Sequence, residues 1–403
     1  MPEKRVVLLD ISILATATRL RGIGRYVSEL ARGLVEIEEQ WGELEIVFLE
    51  RLGLDGSVTL SRELEPAIER LTARPPDVRY RWAYPLRLFA GRAARKIGAN
   101  LLHLPAPGAT PLALRGVPSL VTCHDLIPFR YPEHYAGIED GFRWGRRALD
   151  RRRYRSARHV LAISRATSRE LLRLLGLGRD RVSTVLSGID SARWAAPAAD
   201  GDAEQLRVLG LVGRRFVACV GDADWRKNGD NMMQALAQLR RRDPSLQLVW
   251  AGKTSARSHD RARRAAAELH GVTRACHFVG YVPDVALGAI YRAALATLFV
   301  SRAEGFGYPV LEAMAAGSPV VASNTSSLPE VAADAALLVN PEEPAQIAAA
   351  VARLASDPRE RSRLIRRGRE RSGGLTLLSQ ARGTLEVYRR LCSTTFDKPR
   401  EVA

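Results

Sequence analysis

The segment ATLFVSRAEGFGYPVLEAMAAGSPVVAS, residues 296 to 323, reads as strand, turn, helix and strand in succession. ATLFVS and SPVVAS are short apolar runs. Between them, Gly305 and Gly307 allow tight backbone geometry, Pro309 suits the first helical position, and Gly317 closes the helix VLEAMAAG. The NH groups and positive dipole end of that helix favour an anion at the loop, most simply a phosphate. Glu304 in the loop and Glu312, one turn inside the helix, then flank that anion. Carboxylates suit hydroxyl donors, because charge-assisted hydrogen bonds are roughly twice as strong as neutral ones. The plain alternative is a solvent-facing Glu304 with Glu312 serving only the helix N-terminus.

The same style fills the chain. RVVLLDIS, EIVFLE, NLLHLP, PSLVTCHD, HVLAIS and STVLSG are strand candidates in the first half, and FVACVGD, LQLVWAG, ACHFVGYV, ATLFVS, SPVVAS and AALLVNP in the second. Helical periodicity in SELARGLVEIEE, SRATSRELLRLLG and GDNMMQALAQLRRR separates several of them, which predicts parallel sheets built from βα units. At 403 residues the chain exceeds one ordinary core. GIDSARWAAPAADGDAEQL (188 to 206) lacks a clear period and reads as a linker, which places one Rossmann-like domain over 1–189 and a second over 190–374. LTLLSQARGTLEVYRRLC reads as a last helix within 375–403, followed by a loosely ordered tail. The fold class is α/β, and two doubly wound domains in tandem set their ligand-binding strand ends on facing sides of a cleft.

Hydrophobic residues at 46% and charged residues at 26% describe an ordinary globular protein. No run of about 18 uncharged apolar residues occurs, and the N-terminus has no cleavage-site pattern, so a cytoplasmic protein is expected. Cys123, Cys219, Cys276 and Cys392 are scattered and read as reduced packing residues. The net charge of +17 raises nucleic-acid binding, but lysine occurs only at 4, 96, 227, 253 and 398, so 56 of the 61 basic residues are arginine in a chain also rich in Ala and Leu. That skew fits biased codon usage, and no nucleic-acid partner is expected. PLRLFAGRAARKIGAN (85 to 100) and FRWGRRALDRRRYRSAR (142 to 158) mix basic with apolar or aromatic residues. Either they meet anionic lipid or they are solvated helix faces.

Three further stretches carry chemistry. In VACVGDADWRKNGDNMMQAL, Arg226 and Lys227 lie between a strand end and a helix start, placed either for an anionic ligand or as a surface pair. Asp222 and Asp224 spell D-x-D, read here as a turn or cap rather than a metal site. In VTCHDLIPFRYPE, His124 and Asp125 end an apolar strand, where a capping or core role is the alternative. Gly22 and Gly24 open a helix in RLRGIGRYVSEL, and Val27 stands where a dinucleotide fingerprint needs a third glycine, so no dinucleotide site is supported.

Glu304, Gly305, Phe306, Gly307 and Glu312 resemble the E-x7-E pattern of retaining GT-B glycosyltransferases of family GT4, and GIGRYVSELARGL, HDLIPFRYPEHY, RKN, GYVPD and SSLPEV match the family in order along nearly the whole chain. The resemblance implies that Glu304 contacts the donor sugar and Glu312 the nucleotide ribose. It also implies that Arg226 and Lys227 clamp the diphosphate and that His124 contacts the transferred sugar. Asp125, Gly22, Gly24, Lys253, Tyr281 and Val282 are implied to line the donor pocket, and Ser326 and Glu330 fall in the family's SSLPEV stretch. It implies a nucleotide diphosphate sugar, GDP- or UDP-linked, as substrate, no cofactor and no metal. The acceptor is an alcohol: a glycan, a lipid-linked glycan or a small molecule. The HDLIP wording recurs in polysaccharide mannosyltransferases, which favours mannose from GDP-mannose at the inner face of the membrane. A GT-B epimerase or phosphorylase, and a basic binding module without enzymatic activity, are the competing readings. The aromatic residue often found before the family's last helix is missing from LTLLSQA.

Overall fold

The computed structural model describes residues 4–20, 22–52, 57–73, 90–105, 117–135, 143–197, 201–222, 224–252 and 257–393. The chain divides into two compact units, Met1–Gly188 with Leu377–Ala403, and Ile189–Thr376.

In the first unit, seven strands form one sheet: β1 Arg5–Asp10, β2 Leu44–Leu52, β3 Val58–Ser61, β4 Leu101–Leu104, β5 Ser119–Cys123, β6 His159–Ala162 and β7 Val182–Thr184. Their order is β3-β2-β1-β4-β5-β6-β7. Every residue of β4, β5 and β6 is buried, as interior parallel strands covered on both faces require. One expectation needs correction: the sheet is not wholly parallel, because β3 runs antiparallel to β2, with Phe48 opposite Ser61. VTLS is short, half-exposed and alternating, an edge strand whose pattern is too brief to stand out beside continuous apolar runs. STVLSG is also only partly strand, since β7 ends at Thr184.

The second unit has six strands, β8 Phe216–Val220, β9 Gln247–Ala251, β10 Cys276–Gly280, β11 Thr297–Phe299, β12 Val320–Ser323 and β13 Ala336–Val339. All pairs are parallel in the order β10-β9-β8-β11-β12-β13. Val217, Trp250, Leu298 and Val321 from the sheet pack with Met233 and Ile347 from flanking helices into one apolar core. In each unit the order reverses beside the first strand, between β1 and β4 and between β8 and β11. Such a switch point leaves a crevice at the carboxyl ends of the strands.

The final helix, Leu377–Ser393, belongs to the first unit and lies along the helix Gly22–Glu36. The approach is close: a Cβ on Gly33 would stand 2.7 Å from the Leu377 carbonyl oxygen and 3.1 Å from Ala381 Cβ. The cysteines are free and largely buried, which raises their thiol pKa values. No helix among the described residues is long and apolar enough to cross a membrane.

Gly33→Ala is expected to lower the stability of the first unit by about 1–3 kcal/mol, the usual cost of forcing atoms into a packed contact. Calorimetry of the variant checks this; an unchanged Tm would mean that the last helix does not depend on this contact.

Candidate active site

The second unit's switch point is built by the segments that follow β8 and β11. After β8, the chain makes a short turn at Trp225–Lys227 and enters the helix Gly229–Arg240. Asn228 joins them in the left-handed region, φ 59°, a conformation Asn tolerates better than most residues. Its buried Nδ2 donates to the carbonyls of Val300 at 3.1 Å and Pro341 at 2.6 Å. From the β11 side, Arg302 N donates to Arg226 O at 2.8 Å and Arg302 Nη1 to Trp225 O at 3.0 Å. The two segments are therefore one frame.

Lys227 crosses that frame. Its Nζ donates to Glu304 Oε1 at 2.7 Å and sits 4.2 Å from the centre of the Phe299 ring, with both charged side chains only about a tenth exposed. Gly221, φ 134°, makes the room, since a Cβ there would meet Lys227 Cε at 2.5 Å. The Glu304 backbone is held in turn by the segment after β12: Ser326 Oγ accepts from Glu304 N at 3.1 Å, and Ser327 Oγ donates to the carbonyls of Glu304 at 3.0 Å and Phe306 at 2.7 Å.

Beyond Glu304 the loop bearing Gly305 and Phe306 ends at Gly307, φ 116°, where a Cβ would strike Leu328 at 2.6 Å. The helix Tyr308–Ala316 begins there, with Pro309 in its first turn and Gly317 closing it. Gly307 has no side chain to cap the first-turn NH groups, so this end presents positive dipole beside the Lys227–Glu304 pair. Glu312 lies in the second turn, 2% exposed, and Tyr291 OH donates to its Oε2 at 3.1 Å. A fixed cation, a carboxylate and a helix start at one strand edge suit an anion that carries hydroxyls.

The remaining residues of this unit are placed differently. Arg226 shares the turn with Lys227, but its guanidinium is taken by Asp224, with Nη2 to Oδ2 at 2.5 Å and Nε to both oxygens at 3.1 Å. Asp224 also accepts from Arg226 N at 2.9 Å, so this D-x-D aspartate caps the turn. Burial pushes the Asp224 pKa up, and the Arg226 hydrogen bonds and charge outweigh it to leave the pKa lowered. Tyr281 is half exposed after β10, Val282 is buried, and Arg371 bonds the Glu330 carbonyl. Lys253 lies outside the described residues.

In the first unit His124 follows β5 directly. Its Nε2 is 2.6 Å from the Pro105 carbonyl oxygen, which can only accept, so Nε2 carries the proton and Nδ1 is the lone-pair nitrogen. The Tyr26 and His124 rings stand nearly perpendicular, at 88°, with centroids 4.9 Å apart. Asp125 Oδ1 accepts from Ile127 N, the first NH of the short helix Ile127–Arg130, at 3.1 Å. Gly22 is exposed at the start of its helix, whereas Gly24 is small for a local reason: a Cβ would stand 2.4 Å from the Arg19 Cα. Below the site, His103 Nε2 meets Thr122 Oγ1 at 2.8 Å and His103 Nδ1 meets Tyr388 OH at 2.6 Å.

Burial holds His124 down to about 4 against the Pro105 bond, and burial with the neighbouring His124 holds His103 down to about 3. Unfolded, both rings protonate near pH 6.5. Between those values the unfolded chain binds more protons, so stability is expected to fall as pH drops from about 6.5 towards 4, by up to ~1.4 kcal/mol per pH unit for each ring. Urea midpoints at pH 7.5, 6 and 5 check this; a level midpoint across that range would contradict buried neutral rings.

A family model described as Glycosyltransferase Family 4 matches residues 20–193, and one described as Glycosyl transferases group 1 matches residues 203–371. O-antigen chain mannosyltransferase B of Escherichia coli is 30% identical over 280 residues, covering 68% of this chain and 70% of that protein. MMP alpha-(1->4)-mannosyltransferase of Mycolicibacterium hassiacum is 29% identical over 359 residues, covering 84% and 82%. Among solved structures, Anabaena HepE in complex with UDP and glucose superposes with a TM-score of 0.71 at 16% identity, over 96% of this chain and 99% of that one. Matched over both units, and carrying the family's ordered motifs on paired Rossmann-like sheets, this chain belongs to the GT4 glycosyltransferases of GT-B fold.

Proposed function

We propose that this glycosyltransferase moves a hexose, favoured as mannose from GDP-mannose, onto an alcohol of a glycan or lipid-linked acceptor, with retention at the anomeric carbon. The observation that carries the reading is the Lys227–Glu304 contact of 2.7 Å beside the start of the helix Tyr308–Ala316. Lys227 and the helix NH groups neutralise the diphosphate, Glu304 takes a sugar hydroxyl, and Glu312 takes the ribose. The charge that grows on the leaving phosphate is met by groups already in place, which is where such donors gain most. Metal is not required in this reading, because the ammonium and the helix end occupy the role.

The step is a front-face displacement. The bond from C1 to the phosphate oxygen breaks and the bond from C1 to the acceptor oxygen forms on the same face. The acceptor proton passes to the departing phosphate. His124, neutral with Nδ1 as acceptor, contacts a hydroxyl of the transferred sugar. Arg226 reaches the diphosphate only by leaving Asp224, so its part is smaller than that of Lys227 in the ligand-free arrangement.

Two mannosyltransferases among the relatives support mannose and a glycan acceptor. A UDP-linked donor is the second reading, favoured by the UDP and glucose held in the HepE structure. For the acceptor, the helix Arg143–Ser156 exposes Arg151, Arg152 and Arg155, and the helix Ala90–Lys96 exposes Arg92, Arg95 and Lys96 opposite a buried alanine face. These basic faces motivate a lipid-linked acceptor at an anionic membrane surface. Failure to bind anionic vesicles at low salt, with transfer only to soluble alcohols, would remove that part.

A thermal-shift panel with GDP, UDP, ADP and dTDP is expected to single out GDP, since saturation at about 100 times Kd adds roughly 2.7 kcal/mol. A UDP shift would move the assignment to glucose, galactose or their amino derivatives, and no shift with any nucleotide would overturn the donor site. With the donor so identified, Lys227→Ala is expected to lower kcat by about 100- to 1,000-fold, the usual loss when one preorganised group is removed. Glu304→Gln is expected to lower kcat/KM while the free nucleotide diphosphate still binds, because the lost contact is to the sugar. Unchanged kinetics in both variants would sink the assignment.

A further inference from the structure

The second unit opens at Ile189 with residues that read from the sequence as a linker, yet their side chains are fastened to one helix, Asp284–Ala293. Arg193 Nη2 pairs with Asp284 Oδ2 at 2.9 Å. The Trp194 ring, buried on the short helix Ser191–Ala195, meets the buried Tyr291 ring at 63° with centroids 5.9 Å apart. Arg292, the next residue, donates from Nη1 to the Trp194 carbonyl at 2.9 Å and from Nη2 to Asp202 Oδ1 at 2.7 Å. Trp194 is thus held at its backbone and at its ring. On from there, Tyr291 OH donates to Glu312 Oε2 at 3.1 Å, in a place where Glu312 itself is buried.

We propose that Tyr291 is the positioning residue that lets Glu312 tell ribose from deoxyribose, with Trp194 fixing the Tyr291 ring. The inference rests on the assignment of Glu312 to the nucleotide ribose. The helix Tyr308–Ala316 places the Glu312 backbone, but the carboxylate plane turns about the side chain's own torsions. A hydroxyl bonds a carboxylate best close to that plane, so recognition of a sugar edge needs the plane held. A phenol suits this work because it brings one donor and no full charge. The contrast lies in the same unit: the Arg226 guanidinium meets both oxygens of Asp224 and makes that carboxylate a cap. Tyr291 instead holds one oxygen of Glu312 and keeps the group a strong acceptor for hydroxyls. The perpendicular aromatic contact with Trp194 sets where the phenol oxygen stands.

The test uses the full chain and, as probes, the ribonucleoside diphosphate selected by the nucleotide panel with its 2′-deoxy and 3′-deoxy analogues, Kd being read by calorimetry. Wild type is expected to bind the ribonucleotide about tenfold or more above the weaker analogue, as a hydrogen bond to a charged group allows. Tyr291→Phe keeps the ring and removes the hydroxyl. It is expected to narrow that preference to about threefold or less, with the ribonucleotide weakened and the weaker analogue nearly unmoved. Loss of a purely structural support would weaken every probe alike. In turnover, donor KM is expected to rise by the same factor while kcat holds within about twofold, the mark of a contact made equally in ground and transition states. Trp194→Phe retains the Tyr291 hydroxyl and shortens the ring against it, and a preference narrowed by about twofold or more is expected.

A preference that survives Tyr291→Phe overturns the proposal while leaving the ribose at Glu312; where only Trp194→Phe folds, a preference that survives that substitution does the same. Equal binding of all the probes by wild type overturns the Glu312 assignment and the proposal with it, so the two failures are told apart.

Discussion

The ammonium of Lys227 against the carboxylate of Glu304 is the constraint around which the second unit is arranged. A pair this sheltered is expensive to desolvate, and it holds only where geometry and neighbours support it. Support comes from every side: Phe299 offers its ring face, Gly221 gives up a side chain, and Ser326 and Ser327 fix the Glu304 backbone. Asn228 and Arg302 tie the β8 and β11 segments together, so neither charge can drift from the other. The result is a charged site set at the reversal of strand order, where a parallel sheet opens its carboxyl edge.

The first unit solves a different problem. Its interior holds polar groups, namely Tyr26, His103, Thr122 and Tyr388, which are shielded from bulk solvent and bond one another. Burial keeps the histidines neutral, and the Pro105 carbonyl fixes which nitrogen of His124 carries the proton. A neutral ring with a defined acceptor suits hydroxyl recognition better than proton transfer. The return helix Leu377–Ser393 supplies Tyr388 and Gln380 to this interior, so the first unit is completed by a segment that follows the second in sequence.

The arginine excess looks less like a binding footprint once partners are assigned. Arg353 and Arg363 share Glu360, Arg292 grips Asp202 and the Trp194 carbonyl, and Arg371 caps the carbonyls of Glu330 and Val331. Such guanidinium groups close off helix ends and loops, work that a planar fork with several donors does well. Arg155, exposed on the helix Arg143–Ser156, is used in the same way, its Nε donating to the Leu175 carbonyl at 3.1 Å.

By itself the sequence determined the two α/β units, the parallel order implied by alternating strand and helix patterns, and the positions of Glu304, Glu312 and Lys227 at strand-to-helix turns. These features are local: apolar runs, glycine and proline punctuation and helical spacing act over a few residues. Asn228, read only as a neighbour of Lys227, and the serines of SSLPEV were visible as letters without their roles. Tertiary structure decided the rest. It turned Arg226 onto Asp224, gave Glu312 to Tyr291, and set the brief β3 antiparallel on the edge. It also joined Tyr26 to Thr122 across 96 residues and His103 to Tyr388 across 285. A side chain's partner at such separation depends on which elements the folded sheet brings together, and no local spacing rule carries that information.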